Sequence, residues 1–166
     1  MSEAAAIAEK HDGALGDHAN VRLWLRLLSC TMTIEKSVQR LFAERFGTTL
    51  PRFDVMAALE RAPDGLTMGE LSQALLVSNG NVTQLVQKLA ADGMVQVTPD
   101  PRDRRVSRVR LMPLGRTHFA ELAAAHHDRI DALFAALGGE DHAQLYAALG
   151  ALKTSIAQAS AEEAHP

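Results

Sequence analysis

The 166-residue sequence predicts a mainly α-helical fold with a small β-hairpin wing: a winged helix-turn-helix domain between N- and C-terminal dimerisation helices. Three observations carry this. Apolar residues recur at helical spacing over most of the chain. The composition is 47% hydrophobic but only 4% aromatic, a balance that favours helix over sheet. Between Gly93 and Pro113 the period shortens to that of strands around a polar, proline-bounded loop.

Taken in order, residues 1–18 lack periodicity and are expected to be a flexible N-terminus. Val21, Trp24, Leu25, Leu28, Met32, Val38, Leu41, Phe42 and Phe46 then mark one long helix within an N-terminal dimerisation segment, 19–48, with Gly47 as its C-cap. Such a helix is ~40 Å long at 1.5 Å per residue, more than a small domain covers alone, which points to burial against a second chain. Leu50-Pro51 opens the next helix, whose apolar face is Phe53, Val55, Met56 and Leu59 and which ends at Ala62-Pro63-Asp64-Gly65. Thr67 and Glu70 have capping-box spacing at the head of a short helix with Leu71, Ala74 and Leu75 inside. Val77 leads to Ser78, the N-cap of a third helix that closes at Gly93. Met94–Thr98 and Val106–Met112 read as the two strands of the wing. Pro113 starts a long helix and Gly138-Gly139 breaks it. Leu145, Leu149, Leu152 and Ile156 stripe a last helix over about Asp141–Ala159. The predicted organisation is therefore a winged helix-turn-helix domain at 49–115, C-terminal dimerisation helices at 116–160 and a tail at 161–166.

The net charge of −3 conceals strong segregation. Lys and Arg exceed Asp and Glu by four over residues 78–116 and by three over 21–46, whereas 117–166 carries −5. A basic patch of this kind, rather than the total, is what phosphate binding requires. No apolar run reaches the ~20 residues of a membrane span, and the Ala-rich N-terminus carries Glu3, Glu9 and Asp12, unlike a targeting peptide. A cytoplasmic protein is expected. The single cysteine, Cys30, excludes an intrachain disulfide and is expected to be a buried small hydrophobe, with a thiol switch as the alternative. His126 and His142 have no Asp, Glu or His at i+3 or i+4 to make a helical metal site, and the adjacent His126 and His127 point about 100° apart on a helix. No phosphate loop, nucleophile elbow or zinc signature occurs, so neither a metal, a cofactor nor an enzyme activity is expected.

The third helix is the informative one. Val82, Leu85, Val86 and Leu89 form its inner stripe, leaving Ser78, Asn79, Gly80, Asn81, Gln84, Gln87 and Lys88 outside with Thr83 at the flank. An outer face rich in amides and hydroxyls and free of acid suits a DNA major groove: amides pair with adenine edges, hydroxyls and Lys88 with phosphate. Gly80 would let the helix approach the groove wall. The wing places Arg102, Arg104 and Arg105 at a hairpin tip, where guanidinium groups enter a minor groove or hold phosphate, with Asp100 and Asp103 to orient them.

These residues resemble the MarR family of winged-helix regulators. The likeness is carried by Leu71-Ser72-Gln73-Ala74-Leu75-Leu76-Val77-Ser78, by Val82–Leu89 with Gly93-Met94-Val95, and by Asp100-Pro101-Arg102-Asp103-Arg104-Arg105 followed by Leu111-Met112-Pro113-Leu114-Gly115. It extends over roughly residues 20–158. Leu76 stands where glycine is frequent in the family, Met112 where threonine is usual, and Gln84 where arginine is common. The resemblance implies an obligate homodimer whose first and last helices interlock, and paired recognition helices on an inverted-repeat operator in double-stranded DNA, with repression as the expected outcome.

It also implies an effector, an aromatic acid or aromatic acyl-CoA thioester, held between the dimer helices and the winged domain. Trp24, Leu28, Met32, Phe53 and Met56 would supply apolar walls there, and Arg22, Arg26, Arg40 and Arg45 the anion partners. The same apolar residues also read as core, and the arginines as surface or DNA-backbone contacts. A helical dimer serving as a protein-interaction module is the competing class; the amide-rich helix face and the segregated charge favour nucleic acid.

Overall fold

The computed structural model describes residues 18–75, 79–100, 103 and 105–163, the side chains of Asn79 and Glu163 excepted. The expected flexible N-terminus, apart from His18, and the Val77–Ser78 turn fall outside them, as do Arg102 and Arg104. The chain divides into two compact units, residues 1–129 and 130–166.

Helix α1 spans Ala19–Phe46 and buries Leu25, Ser29, Val38 and Phe42. Ser29 and Thr33 are tolerated inside it because each hydroxyl donates to the carbonyl one turn back, Ser29 Oγ to Leu25 O at 2.9 Å and Thr33 Oγ1 to Ser29 O at 2.8 Å. Gly47 ends the helix in the left-handed conformation, φ 60°. The expected burial of Cys30 does not occur: the thiol is exposed. It follows Ser29 by one residue, about 100° around the helix, and so turns away from the buried stripe.

Helix α2, Leu50–Glu60, has Pro51 in its first turn. Its cap residue Thr49 makes no side-chain hydrogen bond. The Leu50 amide instead donates to Gln39 Oε1 of α1 at 2.9 Å, so one helix caps the next. Phe53, Val55, Met56, Ala58 and Leu59 are buried.

The turn after α2 leads into β1, Leu66–Thr67, a two-residue strand that the periodicity reading did not contain. Gly65 makes that turn possible. It has φ +79°, and a Cβ there would stand 2.3 Å from Val109 O, so no other residue fits against the sheet. Thr67 and Glu70 close the expected capping box on α3, Met68–Leu75: the Thr67 amide donates to Glu70 Oε2 at 2.7 Å and the Glu70 amide to Thr67 Oγ1 at 3.2 Å.

Helix α4 spans Asn79–Ala91, followed by β2 at Val95–Pro99 and β3 at Ser107–Leu111. The sheet is antiparallel in the order β1-β3-β2, with Val97 opposite Val109 and Thr67 opposite Arg108. Val95, Val109 and Leu111 point into the core with Leu71, Val82, Val86 and Leu89. Val106, expected to begin the second strand, is exposed and precedes it. An ion pair joins Arg52 of α2 to Asp92 just beyond α4, fixing α4 against α2. Helix α5 runs Pro113–Phe134 and α6 Gly139–Glu163. Leu145, Leu149 and Ile156 of α6 are exposed, as are Val21, Leu23 and Trp24 of α1.

Candidate nucleic-acid interface

The inner stripe of α4 is fully buried at Val82, Val86 and Leu89. Burying those three positions at i, i+4 and i+7 turns Gly80, Asn81, Gln84, Gln87 and Lys88 to solvent, with Thr83 half-buried beside them. Among the described residues, Asn81, Gln84, Gln87 and Lys88 have no hydrogen-bond or ion-pair partner, so their donors and acceptors stand free for an external one. A Cβ on Gly80 would meet nothing within 4 Å. Among the described residues nothing therefore requires glycine at that position. Ser78 lies outside the described residues, and of Asn79 only the backbone is described.

The wing loop is held by its own backbone: the Asp100 amide donates to Val106 O at 2.8 Å, and the Val106 amide to Asp103 O at 2.9 Å. Asp103 grips Arg105 with both oxygens, Nε to Oδ1 at 3.1 Å and Nη2 to Oδ2 at 3.2 Å, and also accepts the Arg105 amide at 3.0 Å. The Arg105 guanidinium, followed by its amide, holds the Asp103 carboxyl below the usual carboxylate range. The side chain of Arg105 is nevertheless 91% exposed, so a shaped cation is presented outward. Asp100 is 5% exposed and accepts from Arg108 of β3, Nε to Oδ2 at 2.6 Å, a partner not expected from sequence.

Arg108 and Arg110 were not singled out from sequence. Both face the turn before β1: Arg108 Nη1 donates to Gly65 O at 2.7 Å and Arg110 Nε to Asp64 O at 2.8 Å. Their i, i+2 spacing around Val109 was the available signal that they share one side of a strand.

The expected effector residues lie in different surroundings. Phe53 and Met56 are buried core, and Phe53 stacks on Phe119 and His126, with centroids 5.4 and 5.1 Å away. Trp24 is exposed, as are Arg22, Arg26, Arg40 and Arg45, and Leu28 is half-buried. A cavity of about 430 Å³ does open between α1 and α2, lined by Met32, Glu35, Lys36, Gln39, Leu50, Pro51 and Asp54. Met32 alone of the expected set borders it. Burial, with the Glu35 carboxylate adding to it, raises the Asp54 carboxyl above its ordinary value. Periodicity placed these residues on helices correctly but could not say which flank of α1 meets the head of α2. Among the described residues no group of three His, Cys, Asp or Glu side chains could hold a metal ion, and no helix is long and apolar enough to cross a membrane.

Comparison with known proteins places this geometry. The profile of the MarR family matches residues 46–106, from the end of α1 to the residue before β3. The transcriptional activatory protein BadR of Rhodopseudomonas palustris is 37% identical over 105 residues, 62% of this chain, which spans 59% of that protein's length. The crystal structure of a MarR family transcriptional regulator from Silicibacter pomeroyi superimposes with a TM-score of 0.73 at 35% identity, covering 85% of this chain and 99% of that one. Bordetella bronchiseptica BpsR, whose DNA binding is regulated by 6-hydroxynicotinic acid, shares the fold at 20% identity, with a TM-score of 0.71 over 85% of this chain and 98% of its own.

Proposed function

The chain belongs to the MarR family of transcriptional regulators, and from that membership we propose a homodimer that binds an inverted-repeat operator through α4 and the wing and is released by a small ligand. The observation that carries this reading is the α4 face itself. Asn81, Gln84, Gln87 and Lys88 stand exposed and unpartnered, and in the wing Arg105 is already shaped by Asp103. Amide groups of α4 read base edges in the major groove, while the wing arginine, with Arg102 and Arg104, engages the minor groove or phosphate. Gly80, which no described residue crowds, removes bulk where the helix would meet the groove.

Replacement of Arg105 by Ala is expected to weaken binding to a duplex selected by the wild-type protein about tenfold and to reduce the salt slope by about one. Unchanged affinity and slope would remove the wing from the interface.

For release, the ligand must bind one spacing of the two recognition helices more tightly than the other. An aromatic acid or its CoA thioester is the proposed class, supported by the likeness to BpsR and its 6-hydroxynicotinic acid. The α1–α2 cavity lies where a ligand would bridge the long helix and the winged domain, with Lys36 as the cation on its wall. Repression follows if the operator overlaps the promoter. Activation is the second reading, favoured by the activatory relative from R. palustris.

A further inference from the structure

Arg108 occupies the middle strand of the sheet, opposite Thr67 of β1 on one side and Thr98 of β2 on the other. Its side chain is 20% exposed and two of its three guanidinium nitrogens are engaged. Nε holds Asp100 at the root of the wing loop, Nη1 holds Gly65 O in the turn that enters β1, and Glu70 of the α3 capping box lies 3.9 Å from Nη1. Asp100 is itself almost fully buried in a loop whose Arg105 is open to solvent. Removing a charged pair from water costs several kcal/mol per ion unless geometry and further hydrogen bonds offset it. A planar guanidinium that binds a carboxylate and a carbonyl in two directions meets that condition; an ammonium point charge does not. The pair joins three parts of the DNA-binding unit that are distant in sequence: the wing, the turn before β1, and the head of the helix-turn-helix.

We propose that Arg108 is a positioning residue that fixes the wing relative to the α3–α4 pair, so that Arg105 and the outer face of α4 reach one duplex together. The proposal rests on the reading of α4 and Arg105 as DNA contacts. The charge of Arg108 is compensated inside the chain, so the residue acts without touching DNA. Its loss should therefore disable the wing contact rather than add an independent defect. That expectation separates a positioning role from general stability, which would lower affinity without altering how the two sites couple.

The test is a double-mutant cycle of Arg108→Gln with Arg105→Ala, titrated in full-length protein against a duplex that the wild-type protein selects from a random library. Each single variant is expected to lose about tenfold in affinity and about one unit of salt slope. The double variant should lie within about twofold of either single, because a displaced wing has no contact left to lose. Arg108→Lys, which keeps the charge without the fork, should behave as Arg108→Gln. Multiplying penalties, or full activity of Arg108→Lys, would overturn the proposal while leaving the wing contact standing. If Arg105→Ala alone had no effect, the wing contact itself would fall and the positioning role with it. Should Arg108→Gln melt well below the wild type, the unmutated protein decides. Its Arg108 Nε–H must exchange slowly with solvent in the free state, and fast exchange refutes the clamp.

Discussion

At the scale of single residues, His126 has a distinctive environment. Its ring stacks on Phe53 at 5.1 Å and 24° and lies 6.3 Å from Phe42, with His127 at its edge. Burial, then the neighbouring His127, lowers its pKa below the ordinary imidazole value. The folded chain thus takes up the proton less readily than the unfolded one. Stability is lost as pH falls through the unfolded pKa near 6.5, and the loss is complete below the folded pKa. Between pH 7.5 and 5.5 the melting temperature of the wild type should therefore fall more than that of His126→Phe, which retains the aromatic stack without the titration. Parallel curves would show that His126 is not the responsible group. None of this was visible in the sequence, where His126 had no partner at helical spacing; its neighbours come from α1 and α2, more than seventy residues away.

At the scale of elements, legibility follows the range of the contact. The capping box was readable because Thr67 and Glu70 are three residues apart and need only one helical turn to meet. The backbone amide and the hydroxyl of Thr67, followed by Arg108 farther off, hold the Glu70 carboxyl below its usual range. Thr67→Ala should lower unfolding free energy by about 1 kcal/mol, while Thr67→Ser should retain most of the stability. Urea unfolding monitored by circular dichroism checks both, and an equal loss in the two variants would point to strand pairing rather than capping. Strand β1 was not readable for the converse reason. Two residues have no period, and Leu66–Thr67 is a strand only because β3 offers it hydrogen bonds across forty residues. The pairing of Asp100 with Arg108 was hidden for the same reason, since only the pairing of β2 with β3 brings the root of the wing loop against that side chain.

At the scale of the whole molecule, the exposed stripe of Leu145, Leu149 and Ile156 on α6 has the i, i+4 and i+11 spacing of a face that packs on another helix. Under the proposed dimer, Leu149→Asp with Ile156→Asp should yield monomers by sedimentation equilibrium and weaken operator binding at least tenfold, since two half-sites then lose their linkage. A dimer of unchanged stability would locate the interface elsewhere. By itself the sequence determined the helices and the two strands of the wing, which stripe of α4 turns inward, and that positive charge gathers at the wing; periodicity, caps and charge runs are local and survive without a fold. Tertiary structure alone decided that Asp100 belongs to Arg108, that Phe53 and Met56 are core, and that the α1–α2 cavity is walled by Glu35, Lys36 and Asp54. Each of these depends on how helices and strands rotate against one another, an angle that close packing of distant side chains sets and that no single segment encodes.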